Sequence, residues 1–138
     1  MNTTSERECA RVLIADDFQP FLDRIVDLLS RDFCVVGSVT NGAELVAAAT
    51  SLRPDVIVVD IYMPVMNGLE AAGRLRVDGS QVPIVYMTAH HESELLDAVQ
   101  NTGALGYVTK QHLAQDLVPA IRAALEGRHF VSRSALTE

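Results

Sequence analysis

A chain of 138 residues has room for one domain with a real core and too little for two ordinary ones. Its make-up, 49% hydrophobic and 21% charged, is globular and soluble, and no apolar stretch approaches the ~18 residues that a membrane span needs. The formal net charge of −7 argues against this chain gripping nucleic acid by itself, because such binding rests on Lys and Arg neutralising phosphates; it is silent on any separate domain the chain serves.

Residues 1–10 read as a flexible polar lead without an apolar signal segment, so the cytoplasm is the expected location. Cys9 and Cys34 form no C-x-x-C pair and are expected as free thiols, Cys34 in the core. A strand at 12–17 precedes a helix from about Pro20 to Arg31, with Phe21, Ile25, Leu28 and Leu29 at helical spacing. Val35–Val39 is a second strand, and Asn41 can cap a helix at 42–52 whose Leu45, Ala49 and Leu52 share a face. Pro54-Asp55 leads into a third strand at 56–61, and Asn67-Gly68 marks a turn before a helix at about 69–77. Pro83 opens a fourth strand. A helix from Glu92 to Thr102 ends at Gly103, and Gly106–Lys110 is a fifth strand. The last helix ends near Gly127 with Leu117, Ile121, Ala124 and Leu125 on one stripe. Pro119 would cost it an internal hydrogen bond if it began near 113, so a late start with Asp116 as cap, or a kink, is expected. The domain is read as 11–130, with 131–138 a tail or the start of a linker.

Strands separated by single helices imply right-handed crossovers, hence an α/β fold with a parallel sheet covered on both faces. Five such units fit the flavodoxin-like order 2-1-3-4-5, in which strands 1 and 3 meet at the switch point. Four apolar runs then end in polar residues: Val12–Ala15 in Asp16-Asp17, Val56–Val59 in Asp60, Ile84–Met87 in Thr88, and Tyr107–Thr109 in Lys110. Ligand sites in such sheets lie beyond the carboxyl ends of the strands. Three carboxylates, a hydroxyl and an ammonium should therefore share one rim.

Two carboxylates ~4 Å apart repel by about 4 kcal/mol at an effective dielectric of ~20. A divalent cation relieves this, and oxygen-only ligands favour a hard one such as Mg²⁺, which takes one or two carboxylates plus a phosphate. Asp60, ending the central strand, is the expected nucleophile, since a carboxylate can form an acyl phosphate. In-line transfer spreads charge over three equatorial oxygens, which Mg²⁺, Lys110 and Thr88 would each neutralise, while small Ala89 leaves the approach open. An acidic doublet alone is commonly a solvated turn, and a lone Asp after a strand commonly caps the next helix. The four ends in register are far more specific.

Asp16-Asp17, Asp60-Ile61-Tyr62-Met63-Pro64 with Asn67-Gly68, Thr88-Ala89, and Gly106-Tyr107-Val108-Thr109-Lys110 resemble the receiver (CheY-like) domain of two-component response regulators, over about residues 11–130. The resemblance implies that Asp60 accepts a phosphoryl group from a sensor histidine kinase. It implies Mg²⁺ held by Asp16, Asp17, Asp60 and the backbone carbonyl of Tyr62. It implies that Thr88, Ala89 and Lys110 bind the phosphoryl group, and that Thr88 and Tyr107 form a switch in which the hydroxyl moves toward that group and the ring turns inward.

Gly103–Tyr107 and Gly127-Arg128 are similar to the NarL/FixJ-type branch, whose members usually carry a C-terminal helix-turn-helix DNA-binding domain. By that likeness DNA is met only through a domain absent here, to regulate transcription. A single-domain receiver and a chain cut before its output domain both stay open. A homodimer is also implied, through the helices starting near 20 and 113 or through the 4-5 face.

Some positions depart from the receiver pattern. Gln111 stands where many receivers have Pro after the Lys, so a trans Lys110–Gln111 bond is expected. Tyr62 and His90 border the path of the hydrolytic water by resemblance, and Tyr62 would shield it. His90 and His91 have only Glu94 as a ligand partner and read as polar residues at a helix start; His112 and His129 read as surface residues. Two other readings remain. A Mg²⁺-dependent phosphohydrolase of the haloacid dehalogenase type would need a second Asp where Tyr62 stands, and a pseudo-receiver would lack some of the site residues.

Overall fold

Short β-branched runs and amphipathic segments alternate in this chain, and the structure follows that alternation. The computed structural model describes residues 9–89 and 93–132, the side chains of 93–95 excepted. In order these form β1 (Arg11–Ala15), α1 (Gln19–Leu29), β2 (Cys34–Val39), α2 (Gly42–Leu52), β3 (Val56–Asp60), α3 (Gly68–Val77), β4 (Ile84–Thr88), α4 (Ser93–Asn101), β5 (Gly106–Thr109), a 3₁₀ turn (Lys110–His112), α5 (Leu113–Leu125) and β6 (Phe130–Val131). Residues 1–8, His90, His91, the expected helix start at Glu92 and residues 133–138 lie outside the described residues.

The expected order 2-1-3-4-5 is present but extended, giving a six-stranded parallel sheet β2-β1-β3-β4-β5-β6. The five-stranded expectation missed β6, because two residues are too short to show a strand pattern. Gly127, at φ 76°, turns the chain after α5. Arg128 N–H then donates to Ala123 O at 2.8 Å, and Phe130 N–H reaches Leu105 O at 2.8 Å. Strand pairing thus runs through Val131, and Ser132, also placed in the expected tail, is fully buried.

Side chains alternate across each strand and divide the core in two. Val12, Ile14, Val58, Val85, Met87 and Val108 pack under α1 and α5. Leu13, Ala15, Ile57, Val59, Tyr86 and Tyr107 pack under α2, α3 and α4. α1 turns Leu22, Ile25 and Leu29 inward, while Phe21 and Leu28 are half-buried. On α5, Leu117, Ile121 and Ala124 are buried but Leu125 is 38% exposed, so the expected stripe is narrower by one residue.

Two further expectations fail. α5 begins at Leu113, with Pro119 inside it rather than in its first turn. Pro119 faces solvent, so water can serve the carbonyl that its missing N–H would have met. Cys9 and Cys34 are not free thiols: they form a disulfide, with Cα atoms 5.4 Å apart, and Cys34 is exposed rather than core. The cause is strand pairing. β2 is the edge strand, Arg11 pairs with Cys34, and Cys34 N–H donates to Ala10 O at 2.8 Å, which brings Cys9 alongside.

Among the described residues no helix is long and apolar enough to cross a membrane, and no peptide bond is cis, so Lys110–Gln111 is trans as expected.

Candidate functional site

Register brings the predicted residues together. Ala15 pairs with Val59 and Asp60 with Met87, so Asp16 leaves β1 level with Asp60. Thr88 pairs with Thr109, so Ala89 and Lys110 step beyond the sheet side by side. Asp16 and Asp60 continue the side-chain parity of Ile14 and Val58 and therefore emerge on the α1–α5 face.

The loop after β3 is folded back over this rim. A Cβ on Gly68 would lie 2.3 Å from Asp60 O, and one on Gly42 would lie 2.2 Å from Met66 O, so both positions require glycine. Asn67 accepts from Glu70 N–H at 2.8 Å while Asn67 N–H donates to the Glu70 carboxylate at 2.9 Å, a reciprocal cap that starts α3 directly behind the loop. Val65 sits at φ 70°, a costly conformation for a β-branched residue.

Carboxylate oxygens of Asp16, Asp17 and Asp60 all lie within 4.8 Å of one another. Lys110 Nζ is 2.5 Å from Asp16 Oδ2 and 3.4 Å from Asp60 Oδ2, so one ammonium holds the two buried acids. Phe18 N–H donates to Asp16 Oδ1 at 3.0 Å, and Tyr62 N–H approaches Asp60 Oδ1 at 3.4 Å. Burial is the largest influence on Asp60 and pushes its carboxyl up to about 6 from 3.8; Lys110 opposes the rise, the Asp16 charge adds to it, and the Tyr62 N–H opposes it. The donor set is all oxygen and carries excess negative charge, which suits a hard divalent cation. Asp17 is exposed, and with Tyr62, Met63, Pro64 and Asn67 it lines an open cleft through which a ligand can reach the acids.

Thr88 is fully buried at the end of β4, and Ala89 is exposed. Tyr107 is 1% exposed, its ring inward on the α2–α4 face. Tyr62 is half exposed. His129 is exposed, whereas His112 is half-buried with Nδ1 3.1 Å from Thr109 Oγ1. Several contributors were not anticipated. Lys110 Nζ stands 4.3 Å from the centre of the Phe21 ring, a cation–π contact that takes Phe21 out of a purely core role. Ser132 carried no local signal in the sequence, and Asp116, read there as a helix cap, instead accepts from the Ser132 hydroxyl at 2.8 Å.

Residues 12–122 match the family described as the response regulator receiver domain. The chain belongs to that family. It is 35% identical over 133 residues to the nitrate/nitrite response regulator protein NarL of Escherichia coli K12, covering 94% of this chain and 61% of NarL. The chain spans between 55% and 62% of the length of the curated relatives it matches. Among solved structures, it is similar to a LuxR-family two-component response regulator from Aurantimonas sp. SI85-9A1, with a TM-score of 0.89, 30% identity and 94% of each chain covered. It is also similar to the isolated REC domain of RcsB from Salmonella enterica serovar Typhimurium, in the presence of the phosphomimetic BeF3−, with a TM-score of 0.85, 25% identity and 94% and 97% of the two chains covered.

Receiver domains are signalling domains of two-component systems rather than typical enzymes, and transcriptional regulators stand among the relatives. They bind Mg²⁺ at an acidic pocket, and Asp16, Asp17 and Asp60 form a cluster of that kind here.

Proposed function

We propose that this receiver accepts a phosphoryl group on Asp60 from a sensor histidine kinase and converts it into a changed surface. The observation that carries this reading is the shared ammonium: Lys110 Nζ touches the carboxylates of Asp16 and Asp60 together, and an Asp17 oxygen lies within 4.8 Å of theirs. A basic group and three acids at one rim can receive a dianion and its cation.

An Asp60 oxygen attacks the phosphorus of a kinase phosphohistidine; a P–O bond forms as the P–N bond breaks, and the imidazole leaves. Asp16, Asp17, Asp60 and the Tyr62 carbonyl would hold Mg²⁺, which when bound offsets charge on a phosphoryl oxygen. Lys110 turns from the carboxylates to a second oxygen. The Thr88 hydroxyl takes the third, and Ala89 keeps the approach clear. Movement of Thr88 toward the phosphoryl group would repack the space beside Tyr107, whose ring already lies inward on the α2–α4 face rather than turning in afterwards.

The receiver unit covers 11–130, extended to Ser132 by its packing, after a lead of 1–10 and before a tail or linker. Regulation of transcription through a further domain is proposed from the NarL likeness, as are a cytoplasmic location and phosphorylation-dependent dimerisation. RcsB, a relative of similar fold, forms dimers bound to DNA.

Incubation with Mg²⁺ and acetyl phosphate, followed by intact-mass measurement, tests the reading. A stoichiometric phosphate adduct, lost in Asp60→Asn, is expected. Multiple turnover without an adduct would favour the hydrolase, and neither adduct nor turnover, with cognate kinase as well, would favour a pseudo-receiver.

A further inference from the structure

Among the described residues the outer edge of β5 pairs with the two residues of β6, and hydrogen bonding continues beyond them. Ser132 N–H donates to Tyr107 O at 2.8 Å. Thr109 N–H, buried and past the end of β6, donates to the Ser132 hydroxyl at 3.1 Å, so a side chain answers where a strand carbonyl would. The same hydroxyl donates to Asp116 Oδ2 at 2.8 Å. A hydroxyl has one proton to give; the carboxylate claims it, which turns the oxygen's lone pairs toward Thr109 N–H. Asp116 itself sits in the first turn of α5, where negative charge is favoured. With His112 Nδ1 3.1 Å from Thr109 Oγ1, the residue directly before Lys110 is tied through both backbone and side chain.

Lys110 reaches back to Asp16 and Asp60 on a long flexible stem, so its backbone anchor decides where the ammonium can go. Ser132, though fully buried, contacts neither carboxylate of that pair in any described hydrogen bond; it acts only on the anchor. We propose that Ser132 is a positioning residue for Lys110, acting through Thr109 and oriented by Asp116. The last of the described residues thereby belongs to the phosphoryl site. This rests on the receiver reading above and adds a residue ten positions beyond the 12–122 family match.

The test compares wild type with Ser132→Ala, Ser132→Thr and Asp116→Ala in the full chain. Thr109 amide exchange is read without metal, and affinities are read for Mg²⁺ alone and for beryllofluoride with Mg²⁺. In Ser132→Ala the Thr109 amide should exchange about tenfold faster or more, and beryllofluoride affinity should fall about tenfold, with Mg²⁺ affinity within about twofold of wild type. Ser132→Thr, which keeps the hydroxyl, should restore both. Asp116→Ala should reproduce the loss and decides the matter should Ser132→Ala fail to fold. Unchanged beryllofluoride affinity in a folded variant overturns the proposal, and so does an equal loss of Mg²⁺ and beryllofluoride binding, which marks a merely structural residue. Wild type that takes up no beryllofluoride overturns the receiver reading as well; wild-type binding with unaffected variants overturns this proposal alone.

Discussion

On the α1–α5 face, β1 and β3 end their apolar rows in Asp16 and Asp60, and Lys110 lies over Phe21 between them. On the other face the rows contain Tyr86 and Tyr107, packed with α3 and α4; Tyr86 OH meets Thr102 Oγ1 at 3.0 Å, and Arg76 Nε donates to Thr102 O at 3.1 Å. Strand parity thus places the strand-end carboxylates on one face and the strand tyrosines on the other, although the same sheet supplies both. On the proposed reading, the charge face takes the phosphoryl group and the aromatic face senses it, through Thr88 at the rim and Tyr107 two residues before Thr109. The comparison predicts that substitutions on the two faces fail differently.

The largest effect belongs to Asp60→Asn, which should abolish the phosphate adduct in intact-mass measurement while the protein stays folded. Lys110→Met comes next: the adduct with acetyl phosphate should form at least about a hundredfold more slowly, because one phosphoryl oxygen loses its counter-charge. A comparable rate would break the assignment of the charge face.

Asp60 also makes a stability prediction. Its folded carboxyl titrates near 6 rather than 3.8, so its ionisation costs folding energy. The metal-free protein keeps the benefit of a neutral Asp60 below about pH 4 and loses on the order of 2 kcal/mol as pH rises through about 6. Denaturant unfolding across that range should show the slope, and Asp60→Asn or added Mg²⁺ should flatten it.

Thr88→Ala sharpens the contrast. It should still accept phosphate, a few-fold more slowly, but the amide shifts along α4 and β5 expected when wild type takes up beryllofluoride should be lost. Retained shifts would mean that Thr88 does not link the faces. The smallest effect is that of Tyr62→Asn. With half of Tyr62 exposed over the site, its removal should shorten the phospho-protein lifetime about threefold by admitting water; an unchanged or longer lifetime removes the shielding role.

What could be read in the sequence was local. An apolar run and the residue that ends it are adjacent in the chain, so Asp16, Asp60, Thr88 and Lys110 announced a shared rim once a parallel sheet was assumed. Asn41 was legible as a cap for the same reason, and accepts from Glu44 N–H at 2.9 Å. Features that depend on the register between neighbouring strands, or on where the chain goes after α5, were not legible. The Cys9–Cys34 link follows from the pairing of Arg11 with Cys34 at the sheet edge. β6 and Ser132 matter only because Gly127 returns the chain to the open side of β5. Pro119 misled because the helix rule concerns the backbone alone, and its place on the exposed face of α5 relieves the cost.

The central claim is that Asp60, and neither neighbouring acid, carries the phosphoryl group. Borohydride reduces an acyl phosphate to an alcohol and would turn a phosphorylated aspartate into homoserine at its own position. After reaction with acetyl phosphate and Mg²⁺, peptide mass spectrometry should find homoserine at position 60 alone. Homoserine at 16 or 17, or at no position in protein shown to carry the adduct, would contradict the account.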